Sequence, residues 1–358
     1  MMHKNVSQNL DKKHVPTVSI VGARGYSGLE LVRILLNHSG VELKYCFATE
    51  AFSLENYFSN PKINSVQCYA QSEILNYKTD IVFLATPAEV SLHLAPQLIE
   101  KHKCLVIDVS GAFRLKNNSY SKWYGFDHDQ TNLLSQAVYG LNPWAAPAAG
   151  NDHKLIANPG CYATSIMMGL LPLLKSDLIE TDSVVVDAKS GTTGGGKKPT
   201  ENLLFSEVDG ECLPYKIGQH QHYPEIQEYL EKFSGKKIDF HFSTSLLSAR
   251  RGIISSIFAK LKFGVTEADV QKSFSIYYEN QPMIQFGSLK KRPQLASLKK
   301  VVGTNNTHIS YTVDGQKLYV FSVIDNLVKG AAGQAVENMN KSFDYPIDMG
   351  LSQLEALQ

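Results

Sequence analysis

Tryptophan is scarce in this chain, two residues in 358, and charge of one sign is almost cancelled by the other. Thirty-five Lys and Arg face 34 Asp and Glu, for a formal net charge of +1. That near-neutrality removes the electrostatic ground for nucleic acid or an acidic membrane surface as a partner. Cysteine is sparse as well. Cys46, Cys68, Cys104, Cys161 and Cys212 are odd in number, widely scattered, and form no C-x-x-C pair. A disulfide framework and a cysteine-rich zinc site are therefore not expected, and a reducing cytoplasm is the compartment that fits. No apolar run approaches the roughly 18 residues of a membrane span. Repeats and low-complexity tracts are missing too. The first 14 residues are polar, lack the apolar centre of a signal peptide, and read as a disordered leader.

What is present is an ordinary globular composition, 43% hydrophobic and 19% charged, long enough for two domains. The stretch around which the rest is arranged runs from Lys154 through Asn158-Pro159-Gly160-Cys161 into an apolar segment ending near Lys175. It predicts a short strand, a sharp elbow and a helix, with Pro172 and Lys175-Ser176-Asp177 ending the helix. Cys161 then stands in the first turn, where free backbone N–H groups and the positive end of the helix dipole favour an anion. A thiol so placed is expected to ionise below its free value and to serve as a nucleophile. The alternative is a small buried cysteine filling a helix–strand gap.

Upstream, the apolar run Thr17–Val21 is followed at once by Gly22-Ala23-Arg24-Gly25-Tyr26-Ser27-Gly28 and a helical pattern from Leu29 to Leu36. Strand, glycine loop and helix open a dinucleotide-binding βαβ unit. The spacing is G-x-x-G-x-x-G, which leaves a tight turn without a ligand as the other reading. Further strands, Val41–Ala48, Asp80–Ala85 and Cys104–Asp108, alternate with a helix from Ala88 to Lys101 and predict a doubly wound parallel sheet. Thr86-Pro87 ends one strand as a loop lying over a cofactor. Glu50 after the second strand suits an unphosphorylated ribose, whereas Arg24 in the glycine loop suits a 2′-phosphate, so these residues leave the cofactor undecided.

Beyond Cys161 the pattern changes. Strands are expected at Ser183–Lys189, Ile238–Ser245, Gly252–Leu261, Thr307–Thr312 and Lys317–Ile324, the last two joined by an Asp314-Gly315 turn. One helix, Thr266–Tyr278, opens with a capping box in which Asp269 replaces the usual Glu. The expectation is a Rossmann-like nucleotide domain, residues 15–157 with 326–358 returning to it through a final helix at about Lys329–Phe343. A second α+β domain with a mixed or antiparallel sheet occupies 158–325. The loop Ser190–Lys198, glycine-rich and basic at its end, is a linker or an anion clasp. In Gly218–Ile226, His220 and His222 are zinc ligands, acid/base partners of Cys161, or plain loop histidines; no further Cys/His pair at familiar spacing supports a metal.

Four segments together resemble the N-acetyl-γ-glutamyl-phosphate reductases, semialdehyde-forming enzymes of arginine biosynthesis in the semialdehyde dehydrogenase superfamily. They are Gly22–Leu31, Asn158–Thr164 with Gly169 and Pro172, His220–Ile226, and Asp325–Gln334, and the resemblance spans about Val18 to Leu351. It implies reduction of an acyl phosphate by NADPH through a thioester on Cys161, with His220 or His222 as acid/base. By the same resemblance Gly22, Arg24, Gly25, Tyr26, Ser27, Gly28, Thr86 and Pro87 face NADP(H), with Gly191 and Asn326 at its nicotinamide end. Ser110, Arg114, Asn158 and Glu225 are implied for the substrate, N-acetyl-γ-glutamyl phosphate, together with Lys189, Ser190 and Lys197. Arg114 is suited to bidentate capture of a phosphate or carboxylate. No metal is implied, and a one-sided open sheet points to a homodimer or homotetramer.

The chain departs from the family pattern at Ala112 (usually Asp), Gln221 (usually Arg), Ser165 (usually Gly or Ala) and Glu50-Ala51 (commonly Ser-Arg). Three rivals follow. A sister enzyme would take another acyl phosphate, such as aspartyl phosphate. A cysteine hydrolase would need no cofactor. A dinucleotide-sensing module would be indifferent to loss of Cys161.

Overall fold

The computed structural model describes residues 15–116, 119–145, 147 and 154–356. The leader expected at 1–14 and the last two residues of the returning segment lie outside the described residues.

The first sheet is parallel throughout. It comprises β1 (Thr17–Val21), β2 (Glu42–Ala48), β3 (Gln67–Ala70), β4 (Ile81–Leu84), β5 (Leu105–Asp108), β6 (Val138–Tyr139) and β7 (Leu155–Ala157) in the order β3-β2-β1-β4-β5-β7-β6. Helices Tyr26–Leu35 and Ala88–His102 connect its strands. Because such a sheet is covered on both faces, its central strands are buried along nearly their whole length, and the central strand Ile81–Leu84 is apolar and buried at every position. Strand order reverses between β1 and β4, which places a crevice at their carboxyl ends.

The second sheet is mixed: β8 (Val184–Gly191), β9 (Cys212–Pro214), β10 (Phe240–Leu247), β11 (Ile253–Lys260), β12 (Ile284–Ser288), β13 (Thr307–Asp314) and β14 (Lys317–Ile324), ordered β12-β13-β14-β11-β8-β10-β9. The helix Cys161–Lys175 packs across one face, with Ile166 and Leu170 in the cluster that holds Ile257 and Val320. Gly169 permits that approach, since a Cβ there would lie 2.7 Å from Ile257. Ser165, a departure from the family pattern, is accommodated as a polar stitch: its Oγ lies 2.9 Å from Ser255 Oγ and donates to the Ser322 carbonyl at 3.1 Å.

Pro172 does not end this helix, which continues to Lys175. A proline inside a helix strips the carbonyl four residues earlier of its partner. Here that carbonyl, of Met168, accepts the Tyr278 hydroxyl at 2.7 Å instead. Elsewhere the capping box at Thr266–Asp269 forms as the sequence suggests. The final helix is divided into a π-helical turn, Val328–Ala332, and an α-helix, Gly333–Ser342. Its Val328, Ala332, Val336 and Met339 share a core cluster with Ile20, Leu31 and Ile107 of the first sheet and its helices. The other face of the second sheet carries Val185, which is exposed, and Phe258, Tyr319 and Phe321, which are half-buried.

Candidate active site

The carboxyl ends of β1, β4, β5 and β7 converge on one cavity of about 850 Å³, closed from the other side by the second sheet. Gly25, Tyr26 and Ser27 line it from the first glycine loop, Ser110 and Arg114 from the loop after β5, and Gly160 and Cys161 from the elbow after β7. Ser190, His220, His222, Lys197 and Asn326 complete it. A narrower groove of about 380 Å³ continues past Gly22, Arg24, Thr49, Tyr57, Thr86 and Pro87.

Cys161 opens its helix, with Gly160 extended as the N-cap at φ −69° and ψ 152°. The elbow is tight on both sides. A Cβ at Gly160 would fall 2.4 Å from His222 Nε2, and one at Gly330 would fall 2.7 Å from Cys161 Cβ. Glycine is required at both places by close approach, not by backbone angle. The ionisation expected of the thiol is corrected by its surroundings. Burial pushes Cys161 up to about 11, against the pull of Arg114 and the Tyr162 N–H. At this half-buried thiol the helix start does not outweigh the loss of solvation.

Beneath the elbow lies a fully buried charge network. Glu225 Oε1 accepts the Gly160 N–H at 2.8 Å and the Tyr139 hydroxyl at 2.7 Å, while Oε2 stands 3.5 Å from Arg114 Nη1. Arg114 donates through Nε to the Asn158 carbonyl at 2.7 Å and through Nη2 to the Val109 carbonyl at 2.9 Å. Burial opposes its charge, but Glu225 outweighs burial and holds Arg114 cationic. Its fork is thus partly committed to main-chain carbonyls, which limits the bidentate capture expected of it. Glu225 itself is a brace behind the wall.

Other expected residues also lie behind the wall. Asn158 is buried, donating to the Ala331 carbonyl at 3.1 Å and accepting from Asn338 at 3.0 Å. Lys189 alternates away from Ser190 on β8 and pairs with Asp187. Gly28 meets the Gly22 carbonyl, and Gly191 packs on Arg251; in each case an added Cβ would clash with backbone. Their service is to close packing.

The histidines differ. His222 is the first residue of the helix His222–Ser234, an element the sequence analysis did not place. Pro224 is tolerated because first-turn residues need no intrahelical N–H partner. Nε2 of His222 lies 3.5 Å from Arg114 Nη1. Burial, then His220 and Arg114, keep His222 well below its usual range. His220 is boxed by Tyr162, Tyr215 and Phe242, with ring centroids at 5.2, 5.8 and 5.5 Å. Burial, reinforced by Lys216, pushes it down to about 3. Gln221, where the family carries Arg, accepts from Lys216 Nζ at 2.7 Å, which restores a cation beside the histidines. Among the described residues no cluster of three or more His, Cys, Asp or Glu is placed to hold a metal ion.

Asn326 is positioned by the Gly252 N–H, which donates to Oδ1 at 2.8 Å, and by Thr193 Oγ1, 3.1 Å from Nδ2. On the nucleotide side, Lys197 Nζ sits 5.2 Å from the Tyr26 ring and 5.0 Å from the Tyr57 ring. The groove holds Arg24 and Lys197 and no carboxylate, and the exposed Glu50 is not part of its wall. That balance fits an anionic dinucleotide carrying a further phosphate. Sequence reasoning missed Tyr57, Tyr124, Tyr215 and Thr193 in these walls. Gly330 was within reach, since it lies inside the Asp325–Gln334 segment.

A glycine-looped parallel sheet, a helix-start cysteine and a buried histidine in one cavity define a dinucleotide-dependent oxidoreductase. Two family models agree, "Semialdehyde dehydrogenase, NAD binding domain" over residues 17–151 and "Semialdehyde dehydrogenase, dimerisation domain" over 161–326. Aspartate semialdehyde dehydrogenase from Francisella tularensis shares the fold at a TM-score of 0.67 and 16% identity, covering 91% of this chain and 99% of that one. The Candida albicans enzyme, solved with NADP, gives 0.61 and 12%, over 92% and 99%.

Sequence relatives are nearer. N-acetyl-gamma-glutamyl-phosphate reductase of Campylobacter jejuni is 40% identical over 93% of this chain and 97% of its own length. That of Vesicomyosocius okutanii is 38% identical over 95% and 99%. The chain belongs to the N-acetyl-γ-glutamyl-phosphate reductase family, within the semialdehyde dehydrogenases.

Proposed function

We propose that this protein reduces N-acetyl-γ-glutamyl phosphate to N-acetylglutamate 5-semialdehyde and phosphate, with NADP(H) as cofactor and Cys161 as nucleophile. The observation that carries the reading is the elbow, where Gly160, fixed by Glu225, presents Cys161 at a helix start inside the cavity that the glycine loop also borders. Sulfur adds to the acyl carbon, phosphate leaves, and a thioester remains. When bound, the dinucleotide supplies hydride to that thioester. Collapse then releases the semialdehyde and frees the sulfur. Splitting one hard reduction into two steps is the purpose of the covalent link. The Cys161 N–H and the helix start are the first donors for the developing oxyanion.

In this reading His220, which lines the cavity with Cys161, is the acid/base, whereas His222 is held against Arg114 and Gly160. Arg24 and Lys197 support the phosphorylated dinucleotide, and Ser110, Arg114 and Ser190 support the acyl phosphate. Residues 15–157 with 326–358 form the nucleotide domain in this reading, and 158–325 the catalytic one. The partly apolar outer face of the second sheet, in the part matched by a dimerisation model, supports a homodimer or homotetramer. The free, scattered cysteines support a cytoplasmic location.

The test is the reverse reaction, phosphate-dependent reduction of NADP⁺ with N-acetylglutamate semialdehyde, run beside aspartate semialdehyde. Preference for the N-acetylated aldehyde supports the substrate. Preference for aspartate semialdehyde would keep the chemistry and replace the substrate.

A further inference from the structure

The turn between β10 and β11 grips the walls of the cavity from behind, through four consecutive residues. The carbonyls of Ala249 and Arg250 accept the N–H groups of Thr192 at 2.9 Å and Thr193 at 3.2 Å, and that of Arg250 also accepts the Thr193 hydroxyl at 2.8 Å. Gly252 holds Asn326 through its N–H at 2.8 Å and Gly191 through its carbonyl at 2.9 Å. Thr193 and Asn326 line the cavity. The remaining grip is a side chain, that of Arg251.

Arg251 is buried between two carboxylates from different parts of the molecule. Its Nη1 donates at 2.6 Å to Glu30 Oε1, on the helix that follows the glycine loop. Its Nη2 donates at 3.1 Å to Asp325 Oδ1, just past β14. Burial opposes the charge, but Asp325 and Glu30 outweigh burial and hold the guanidinium cationic. Each acid also has other partners. Glu30 Oε2 accepts Arg33 Nε at 2.8 Å, and Asp325 accepts the N–H groups of Gly303, Leu327 and Val328 at 2.6, 2.7 and 3.0 Å. Loss of Arg251 would therefore leave both acids supported and remove the link between them. A planar fork spanning two carboxylates fixes distance and angle together, which a point charge does not.

We propose that Arg251 is a positioning residue for hydride transfer, locking the helix after the glycine loop to the turn that holds Asn326 and Thr193. Tyr26 opens that helix, and its free N–H groups are the expected seat of the pyrophosphate, about one turn before Glu30. Asn326 stands at the nicotinamide end in the reading above, on which the proposal rests. Arg251 thus ties together the supports of the two ends of one cofactor.

The nucleophile is placed from another side, by Gly160 with Glu225 and by Gly330. Bond formation at sulfur therefore does not call on Arg251. Hydride transfer does, because its two reactants are held by different domains, and a displacement of about 1 Å between them costs on the order of 10²-fold. Arg33 provides an outer thread between the same parts, donating to the Gly303 carbonyl at 3.2 Å from a side chain that is 33% exposed. An ion pair that reaches solvent contributes little, so the buried fork carries the alignment.

The test compares wild type with R251M, R251K, E30Q and R33M as full chains. Each is mixed rapidly with saturating NADP⁺ and N-acetylglutamate semialdehyde in the absence of phosphate, so that the first turnover contains hydride transfer. R251M should slow that turnover roughly 10²-fold. Deuterium on the aldehyde carbon should slow it further, because hydride transfer is then the limiting step. Two readouts should move far less: NADP⁺ affinity by calorimetry, and alkylation of Cys161 by iodoacetamide without cofactor. R251K, which keeps the charge and loses the fork, should fall between R251M and wild type. E30Q should slow the same step, and E30Q combined with R251M should be no slower than R251M alone. R33M should stay close to wild type. If R251M fails to fold, R251K and E30Q carry the test. Wild-type first turnover in R251K and E30Q would overturn the proposal. So would equal losses in alkylation and first turnover, R33M as slow as R251M, or no isotope effect in the slowed variants. Failure of the acyl-phosphate reading is seen separately, in wild type, by the aldehyde comparison.

Discussion

Glu225 accepts the main-chain N–H of Gly160 at 2.8 Å, across 65 residues of sequence, and so ties the helix of His222 to the elbow that presents Cys161. The same carboxylate faces Arg114, whose other donors hold the carbonyls of Asn158 and Val109. Nucleophile, histidines and the loop after β5 are therefore positioned by one buried ion pair. Removing one partner of such a pair leaves an uncompensated charge, at a cost of about 3–5 kcal/mol. E225A should lower the unfolding free energy measured by chemical denaturation by that amount, whereas E225Q, which can still accept from Gly160, should lose less. Equal losses would mean that the hydrogen bond contributes little beside the charge.

Gly160→Ala probes the elbow by sterics alone. Its Cβ would meet the His222 ring at 2.4 Å, so the ring or the Cys161 backbone must shift. Displacement of about 1 Å at a reacting group costs on the order of 10²-fold in rate. G160A should therefore lose about that much in kcat while still folding, as judged by a cooperative thermal transition. Gly330→Ala, which presses on Cys161 Cβ from the opposite side, should act in the same direction.

The thiol makes a prediction about reactivity. With Cys161 pushed up to about 11, its alkylation by iodoacetamide in the free enzyme should be slow at neutral pH. The rate should rise about tenfold per pH unit up to that value, because the thiolate is the reactive form. Peptide mass mapping separates Cys161 from the exposed Cys212. A rate that levels off below about pH 8 would show that the helix start prevails over burial.

Stability should fall on acidification. His220 has a folded-state value near 3 against an ordinary 6.5, so between those limits the unfolded chain binds more protons than the folded one. Stability is thus fully present above about pH 6.5 and declines as pH falls, by about 2 kcal/mol at pH 5 from this residue. His308, lowered to about 4 by burial, acts in the same sense. Urea titrations of wild type and H220Q at pH 7 and 5 should differ, with the variant losing less. Parallel losses would contradict this.

Local signals carried much of this architecture. The glycine loop, the elbow and the capping box depend on neighbours a few residues apart, and each formed near where the pattern placed it, the first helix starting at Tyr26 inside the expected loop rather than at Leu29. Long-range relationships were not legible. Nothing in Glu225's surroundings names Gly160 as its partner, and Lys189 was drawn toward the site by motif although strand alternation turns it away. The helix at His222 was not placed, because a proline three residues into a segment signals a helix only once its first-turn position is known. The shift of Cys161 depends on burial created by elements as distant as Gly330. Burial of that kind has no sequence spacing.

The central claim is that an acyl group passes through sulfur on Cys161. The most direct measurement is rapid mixing of the enzyme with NADP⁺ and N-acetylglutamate semialdehyde in the absence of phosphate. The account predicts a burst of one NADPH per chain, an acyl mass increment on the Cys161 peptide, steady turnover only when phosphate is added, and neither burst nor adduct in C161S. Sustained NADPH formation without phosphate, or a burst that survives C161S, would contradict it.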